Sequence, residues 1–155
     1  MIEPPRIVAT APQQVAMVRL SVSWAEMRHA MRPGLSEIAQ AIAAQDIPAT
    51  GPWFNHHVRQ PTDSLDFAIC LPVASEIRSV GRVEPGLRPA MTVVRTVMQG
   101  DYAGLGAAWG ALRTWIAAQG HTTRPEFWEC YVVGPETSPN PEDWRTELNW
   151  PLITG

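Results

Sequence analysis

The stretch Phe127-Trp128-Glu129-Cys130-Tyr131-Val132-Val133 places one acid inside an aromatic, strand-like run. In an extended chain side chains alternate between faces, so Phe127, Glu129, Tyr131 and Val133 share one face and Trp128, Cys130 and Val132 the other. A carboxylate between two rings is desolvated unless it meets a cation, a hydrogen-bond donor or water. Two readings of Glu129 follow: an acid at the wet edge of an open sheet, or the polar centre of a pocket, with its pKa raised by desolvation. Other site chemistries lack their residues. The His56-His57 pair has no Cys, Asp or Glu at ligand spacing, so no metal site is expected. No serine elbow or glycine-rich phosphate loop occurs, and nothing calls for a cofactor.

Elements that position Glu129 must be found in a chain of 155 residues, 45% apolar, with net charge −3. That length and content suit one compact domain or a fused pair of small ones. No basic run supports direct nucleic-acid binding. No apolar run approaches the roughly 18 residues of a membrane span, and the opening Met1-Ile2-Glu3-Pro4-Pro5-Arg6 does not read as a signal peptide, so a cytoplasmic location is expected. Cys70 and Cys130 lie in apolar strand-like segments and read as small core hydrophobes. The 7 Trp exceed what core filling usually needs.

Short matches recur in one register. Ile42-Ala43-Ala44-Gln45 returns as Ile116-Ala117-Ala118-Gln119 (116 − 42 = 74), Ala16-Met17 as Ala90-Met91 (90 − 16 = 74), and Pro52-x-Phe54 as Pro125-x-Phe127 (125 − 52 = 73). Their order and near-constant spacing imply a tandem duplication, with repeat 1 at about residues 1–74 and repeat 2 at about 75–155. Each repeat reads β-β-α-β-β. In the first, Ile7–Ala9 and Val15–Leu20 form a hairpin, and Leu35, Ile38 and Ile42 recur at helical spacing after Pro33-Gly34, with Trp24–Met31 as a short preceding helix. Trp53–Val58 and Leu65–Leu71 then form two strands. In the second, Ile77–Val83 turns through Glu84-Pro85-Gly86 into Met91–Val97. Asp101 caps a helix bearing Leu105, Trp109, Leu112 and Ile116, Gly120 ends it, and strands around Glu129 and Leu148 follow. The fold class is α+β, with each helix covering one sheet face and the uncovered faces left to meet something. Trp53 and Trp128 fall opposite Phe54 and Glu129, beneath the helices, and Glu147 reads as a solvated strand residue.

These motifs resemble the GyrI-like (gyrase-inhibitor-like) small-molecule-binding domains, also found as effector-binding modules of AraC-type and MerR-type regulators. The match is carried by Trp128-Glu129-Cys130-Tyr131, Pro135, Pro139-x-Pro141, Trp144-Arg145-Thr146-Glu147 and Pro151-Leu152. Gly100-x-Tyr102, Ala108-Trp109, Leu112, Trp115 and Gly51-Pro52-x-Phe54 add to it. The resemblance covers nearly the whole chain, 1–155. It implies two βαββ-type (SHS2-like) modules related by a pseudo-two-fold axis, helices outside, with a ligand cleft between them. It further implies that Glu129 faces lipophilic cations inside an aromatic box, where Coulomb attraction and cation–π contact strengthen as water is excluded. The ligand-binding candidates are Glu129, Tyr131, Phe54, His56, Phe127, Trp109 and Trp150. His56 is the counterpart of Glu129 in this register (129 − 56 = 73), where an imidazole would oppose cation binding.

Three functions are then expected in order. The first is a stand-alone binder or sensor of amphipathic or aromatic small molecules. The second, implied by relatives that open strained cyclopropanes with water, is a hydrolase in which Glu129 activates water and Tyr131 donates to the leaving group. The third is a protein-interaction module like the gyrase inhibitor.

Overall fold

A computed structural model describes residues 2–153. The described residues form an α+β fold with eight strands, β1 (Arg6–Thr10), β2 (Gln13–Ser23), β3 (Phe54–His57), β4 (Ser64–Pro72), β5 (Val83–Arg88), β6 (Met91–Gln99), β7 (Phe127–Val133) and β8 (Arg145–Pro151). The helices are α1 (Trp24–Ala44) and α2 (Leu105–Ala118), and single 3₁₀ turns cover Tyr102–Gly104 and Pro141–Asp143. Among the described residues no helix is long and apolar enough to cross a membrane.

Two compact units form, one from Ala11–Ala90 and the other from the chain up to Thr10 together with the chain from Met91 onward. In the first, antiparallel pairing runs β3-β4-β2-β5, and in the second β1-β6-β8-β7. Both expected hairpins are therefore corrected. Strand β1 pairs with β6, Arg6 opposite Arg95 and Thr10 opposite Met91, instead of turning back onto β2. Of the segment expected as the Ile77–Val83 strand, only Val80, in an isolated bridge, and Val83, which starts β5, are paired, and the strand lies instead over the assumed turn Glu84-Pro85-Gly86, paired with β2. Pro85 is tolerated there because β5 ends its unit's sheet, where a missing N–H breaks no outer ladder.

In the 11–90 unit the even residues of β2 and odd residues of β4 point at α1. Ala16 and Val18 pack with Leu65, Phe67 and Ile69 against Ile38, Ala41 and Ile42. The helix begins at a full capping box: the Ser23 hydroxyl accepts from the Glu26 N–H (3.2 Å), and the Ser23 N–H donates to Glu26 Oε1 (2.9 Å). Ser23→Ala is expected to cost about 1 kcal/mol, read from urea melts. One 21-residue helix runs through Pro33, where two pieces were expected. A capped start and an apolar face held by the sheet outweigh the proline's lost hydrogen bond. The next residue, Gly34, lies where the helix approaches β4, and a Cβ there would stand 2.5 Å from Ile69 Cδ1, a fully buried atom group. Gly34→Val is expected to destabilise by about 1–3 kcal/mol through overpacking, visible as a lower urea midpoint.

In the other unit, Val94 and Met98 of β6, Leu148 and Trp150 of β8 and Phe127 of β7 pack under Leu112 and Ile116 of α2. Asp101 caps the turn before α2 by accepting from the Ala103 N–H (2.8 Å), and Gly120, at φ 74°, ends the helix in the left-handed region.

Candidate functional site

Alternation along β7 puts Phe127, Glu129 and Tyr131 on the side covered by α2, opposite Trp150's strand, with Glu129 facing Leu148 and Tyr131 facing Thr146 in register. The expectation that Glu129 looks out from an uncovered sheet face is thus corrected: its neighbour Leu148 is fully buried in the α2 core. From the helix, Trp109 Nε1 donates to Glu129 Oε1 at 2.8 Å, and from the same strand the Tyr131 hydroxyl donates to Oε2 at 2.7 Å. Each carboxylate oxygen thereby holds one neutral donor. Among the described residues no Arg, Lys or His forms an ion pair with it.

Rings enclose this carboxylate. Trp109 meets Phe127 edge-on at 4.9 Å and Trp150 at 5.5 Å, and Phe127 lies 6.2 Å from Trp150. Phe127 and Trp150 are buried, Trp109 and Glu129 half-buried. Burial pushes the Glu129 carboxyl above its ordinary pKa, against the opposing effect of the hydrogen bonds from Tyr131 and Trp109. Trp150 is anchored by donating from Nε1 to the Arg124 carbonyl (3.0 Å), with the Arg113 guanidinium 5.2 Å from its ring centroid.

Two further residues belong to the site and escaped the sequence reading of it. Tyr102, in the turn before α2, packs edge-on against Tyr131 at 5.8 Å and tilts over Trp144 at 5.0 Å. Its phenol is pushed up to about 12 by burial and by the negative charges of Glu136, Glu129 and Asp101, so it stays protonated. Trp144 is held in turn by donating from Nε1 to the Ser138 carbonyl (3.0 Å) in the proline-rich loop. Thr146, opposite Tyr131, is fully buried, and its hydroxyl has no hydrogen-bond partner among the described residues. In the sequence Tyr102 and Thr146 stand out only as members of the motifs Gly100-x-Tyr102 and Trp144-Arg145-Thr146-Glu147, and neither motif places its residue beside Tyr131.

The face of this sheet away from α2 carries a second polar group of residues. Arg95 Nε lies 2.7 Å from Asn149 Oδ1 and 3.3 Å from Glu147 Oε1, with both charged side chains about one-fifth exposed. Glu147 is therefore a largely buried ion-pair member and not the solvated residue expected. Trp128, fully buried, and half-buried Cys130 share this face, which corrects the placement of Trp128 beneath a helix and of Cys130 in the core.

Phe54 and His56 belong to the 11–90 unit, on the face away from α1, where they line a cavity of about 600 Å³ with Met17, Arg19, Cys70 and Arg88. The α1 side is taken by Asn55, which donates from Nδ2 to Met31 Sδ (3.4 Å), and by His57, stacked on Phe67 at 5.2 Å. Burial, with a smaller effect from His56, lowers the His57 pKa to about 4, so the ring is neutral at physiological pH. Hence His56 is not the facial counterpart of Glu129. The offset of 73 is one short of the 74 that relates the helices, and a one-residue slip moves every side chain to the other face. At 74 the counterparts of Glu129 and Tyr131 are Asn55 and His57. Trp53 does pack under α1, as expected.

Among the described residues no group of three or more His, Cys, Asp or Glu is placed to hold a metal ion. No curated protein matches the chain. Solved structures do. EcmrR matches with TM-score 0.85 and 19% identity over 98% of this chain, both as an isolated C-terminal domain, of which 98% is covered, and in a complex with DNA, where the chain spans 58% of the EcmrR polypeptide. SAV2435, bound to tetraphenylphosphonium, matches at TM-score 0.66 and 10% identity, covering 97% of this chain and 94% of that one. A hydrolase from Listeria innocua encoded by lin2189 matches at TM-score 0.71 and 11% identity, covering 96% and 91%. The profile of the GyrI-like small molecule binding domain matches residues 3–153, and the chain belongs to that family.

Proposed function

We propose that the α2-side site binds a lipophilic aromatic cation, with Glu129 as its counter-charge and Trp109, Tyr131, Phe127, Trp150 and Tyr102 as its walls. One observation carries this reading: a carboxylate raised in pKa by burial is gripped only by neutral donors and ringed by aromatic faces. Such a charge gains most from a ligand that brings the opposite charge together with apolar surface. The tetraphenylphosphonium complex of SAV2435 supports the same ligand class. The Thr146 hydroxyl offers a buried polar contact beside Tyr131.

The test is a matched pair titrated against tryptophan fluorescence: a quaternary aryl ammonium and its neutral analogue with carbon in place of nitrogen. The cation should bind at least about 5-fold tighter, the size of one desolvated cation–π and charge contact. Equal affinities would refute the reading.

A second reading, hydrolysis, draws on the Tyr131–Glu129 contact and on the hydrolase neighbour. Glu129 would accept a proton from water while Tyr131 donates to the departing atom. Catalytic formation of a water adduct from a cyclopropane electrophile, detected by mass and lost in Glu129→Gln, would establish it in place of simple binding.

The two units also read as copies of one β-β-α-β-β segment that have exchanged their first strands. The matching order of strand pairing within the two units supports this, as does the 74-residue spacing of the core residues Ile42 and Ile116.

A further inference from the structure

We propose that the Glu129 site is selective for aromatic dications, and that Glu136, at its mouth, is the counter-charge for the second positive group. This rests on the cation reading of Glu129 and adds a residue that reading does not use. A tight turn at the end of β7 places Glu136. The Gly134 carbonyl accepts from the N–H groups of Thr137 and Ser138, both at 3.0 Å, and the Thr137 hydroxyl accepts from the Gly134 N–H at 3.2 Å, so the chain folds straight back over Gly134. A Cβ at Gly134 would stand 2.7 Å from Glu136 Oε2 and 2.9 Å from the Tyr102 hydroxyl. Both oxygens therefore crowd a point that only glycine leaves open, and they lie at most 5.6 Å apart, those two distances laid end to end. The far side of the loop is tied to the same wall, because Trp144 tilts over the Tyr102 ring and its Nε1 holds the Ser138 carbonyl.

Two tyrosine rings separate the two acids. Tyr131 donates to Glu129 Oε2 and meets Tyr102 edge-on, and Tyr102 carries its hydroxyl to Glu136. The order Glu129, Tyr131, Tyr102, Glu136 runs from an enclosed carboxylate to an exposed one. After burial, Glu136 does most to hold the Tyr102 phenol up, ahead of Glu129. A ring lying along these tyrosines thus meets a negative charge at each end. Among the described residues neither Glu129 nor Glu136 belongs to an ion pair, and Arg145, opposite Val133 at this end of the ladder, donates instead to Gln99 Oε1 at 3.3 Å. Thr146 is an independent sign that this space takes a ligand: its hydroxyl is fully buried across from Tyr131 and unpartnered among the described residues. Because the inner charge is shielded from water and the outer one is not, the inner contact sets most of the affinity and the outer one adds selectivity.

The test uses the full chain and two probes of one shape, 2,6-bis(trimethylammoniomethyl)naphthalene and the monocation in which one arm is neopentyl, with carbon in place of nitrogen. Calorimetry at about 50 mM salt should show Glu136→Gln weakening the dication about 2- to 5-fold and leaving the monocation unchanged. Glu136→Arg should widen that gap, and about 500 mM salt should narrow it. Glu136 is exposed, so both variants should fold, which circular dichroism checks. The proposal is overturned if Glu136→Gln weakens both probes equally or neither, if Glu136→Arg leaves their ratio at the wild-type value, or if neither probe binds at millimolar concentration. Glu129→Gln should weaken both probes alike. If it does and Glu136→Gln fails to separate them, the dication proposal falls and the cation reading survives. If Glu129→Gln affects neither probe while Glu136→Gln still separates them, the reading of Glu129 falls and the role of Glu136 stands.

Discussion

Glu129→Gln should weaken tetraphenylphosphonium by about 5- to 150-fold, or about 1–3 kcal/mol, with neutral aromatic ligands nearly unaffected. The substitution keeps the shape and leaves an oxygen to accept from Trp109 Nε1, so what is lost is the charge. Two further results follow from the raised pKa. Affinity for a permanent cation should climb as pH rises through the folded-state pKa of Glu129, because only the carboxylate attracts it, and the climb should be absent in the Gln variant. Without ligand the sign reverses. Between the ordinary glutamate pKa and the raised one the folded chain holds more protons than the unfolded, so stability falls with rising pH across that window. Glu129→Gln should therefore melt higher than wild type at pH 7 while binding the cation worse. Thermal scans at pH 4 and pH 7 would show the gap opening at the higher pH, and a variant that melts lower at pH 7 would contradict the desolvation argument.

Leu112→Ala should cost about 2–5 kcal/mol in urea denaturation. Leu112 is completely buried on the α2 face that meets Leu148, Val94 and Met98, and removing its branch leaves a cavity that a helix pinned between Asp101's cap and Gly120 cannot close by sliding. The same helix carries Trp109 one turn earlier, so loosening it should also degrade the indole donor to Glu129. Cation affinity should drop even though Leu112 itself lies in the core. Leu105→Ala, at a partly buried position on the same face, should cost less.

How much of this was legible depended on which interactions are local. Helix α2 could be read from the spacing of Leu105, Trp109, Leu112 and Ile116 between an Asp cap and a terminal Gly, because each signal acts within a few residues. The alternation along β7 likewise grouped Glu129 with Phe127 and Tyr131. Strand pairing was not legible: the run Ile7–Ala9 carries the same β-branched pattern whether it joins β2 or β6, and no nearby residue distinguishes the two. The facing of His56 failed for a related reason. Motif matching tolerates an offset of 73 or 74, but a pleated strand does not, and the buried pair Asn55 and His57 reveals which register holds. The helix through Pro33 shows tertiary packing overriding a local stop signal. Thr146 joined the site only through a cross-strand register that the sequence does not spell out.

Strand β1 has a temporal consequence. Its partners, Met91 to Arg95, lie near the middle of the chain, so on a ribosome adding about 5–20 residues each second Thr10 emerges on the order of 4–16 s before Met91 exists. Throughout that interval Ile7, Val8 and Ala9 form a β-prone segment with no ladder to join, the kind of nascent sequence that chaperones shield. Arg6 in front of it and Pro12 behind it are suited to discourage stray pairing while it waits. Release of the late-made half, more than collapse of the early one, would then set the pace at which the site-bearing unit matures.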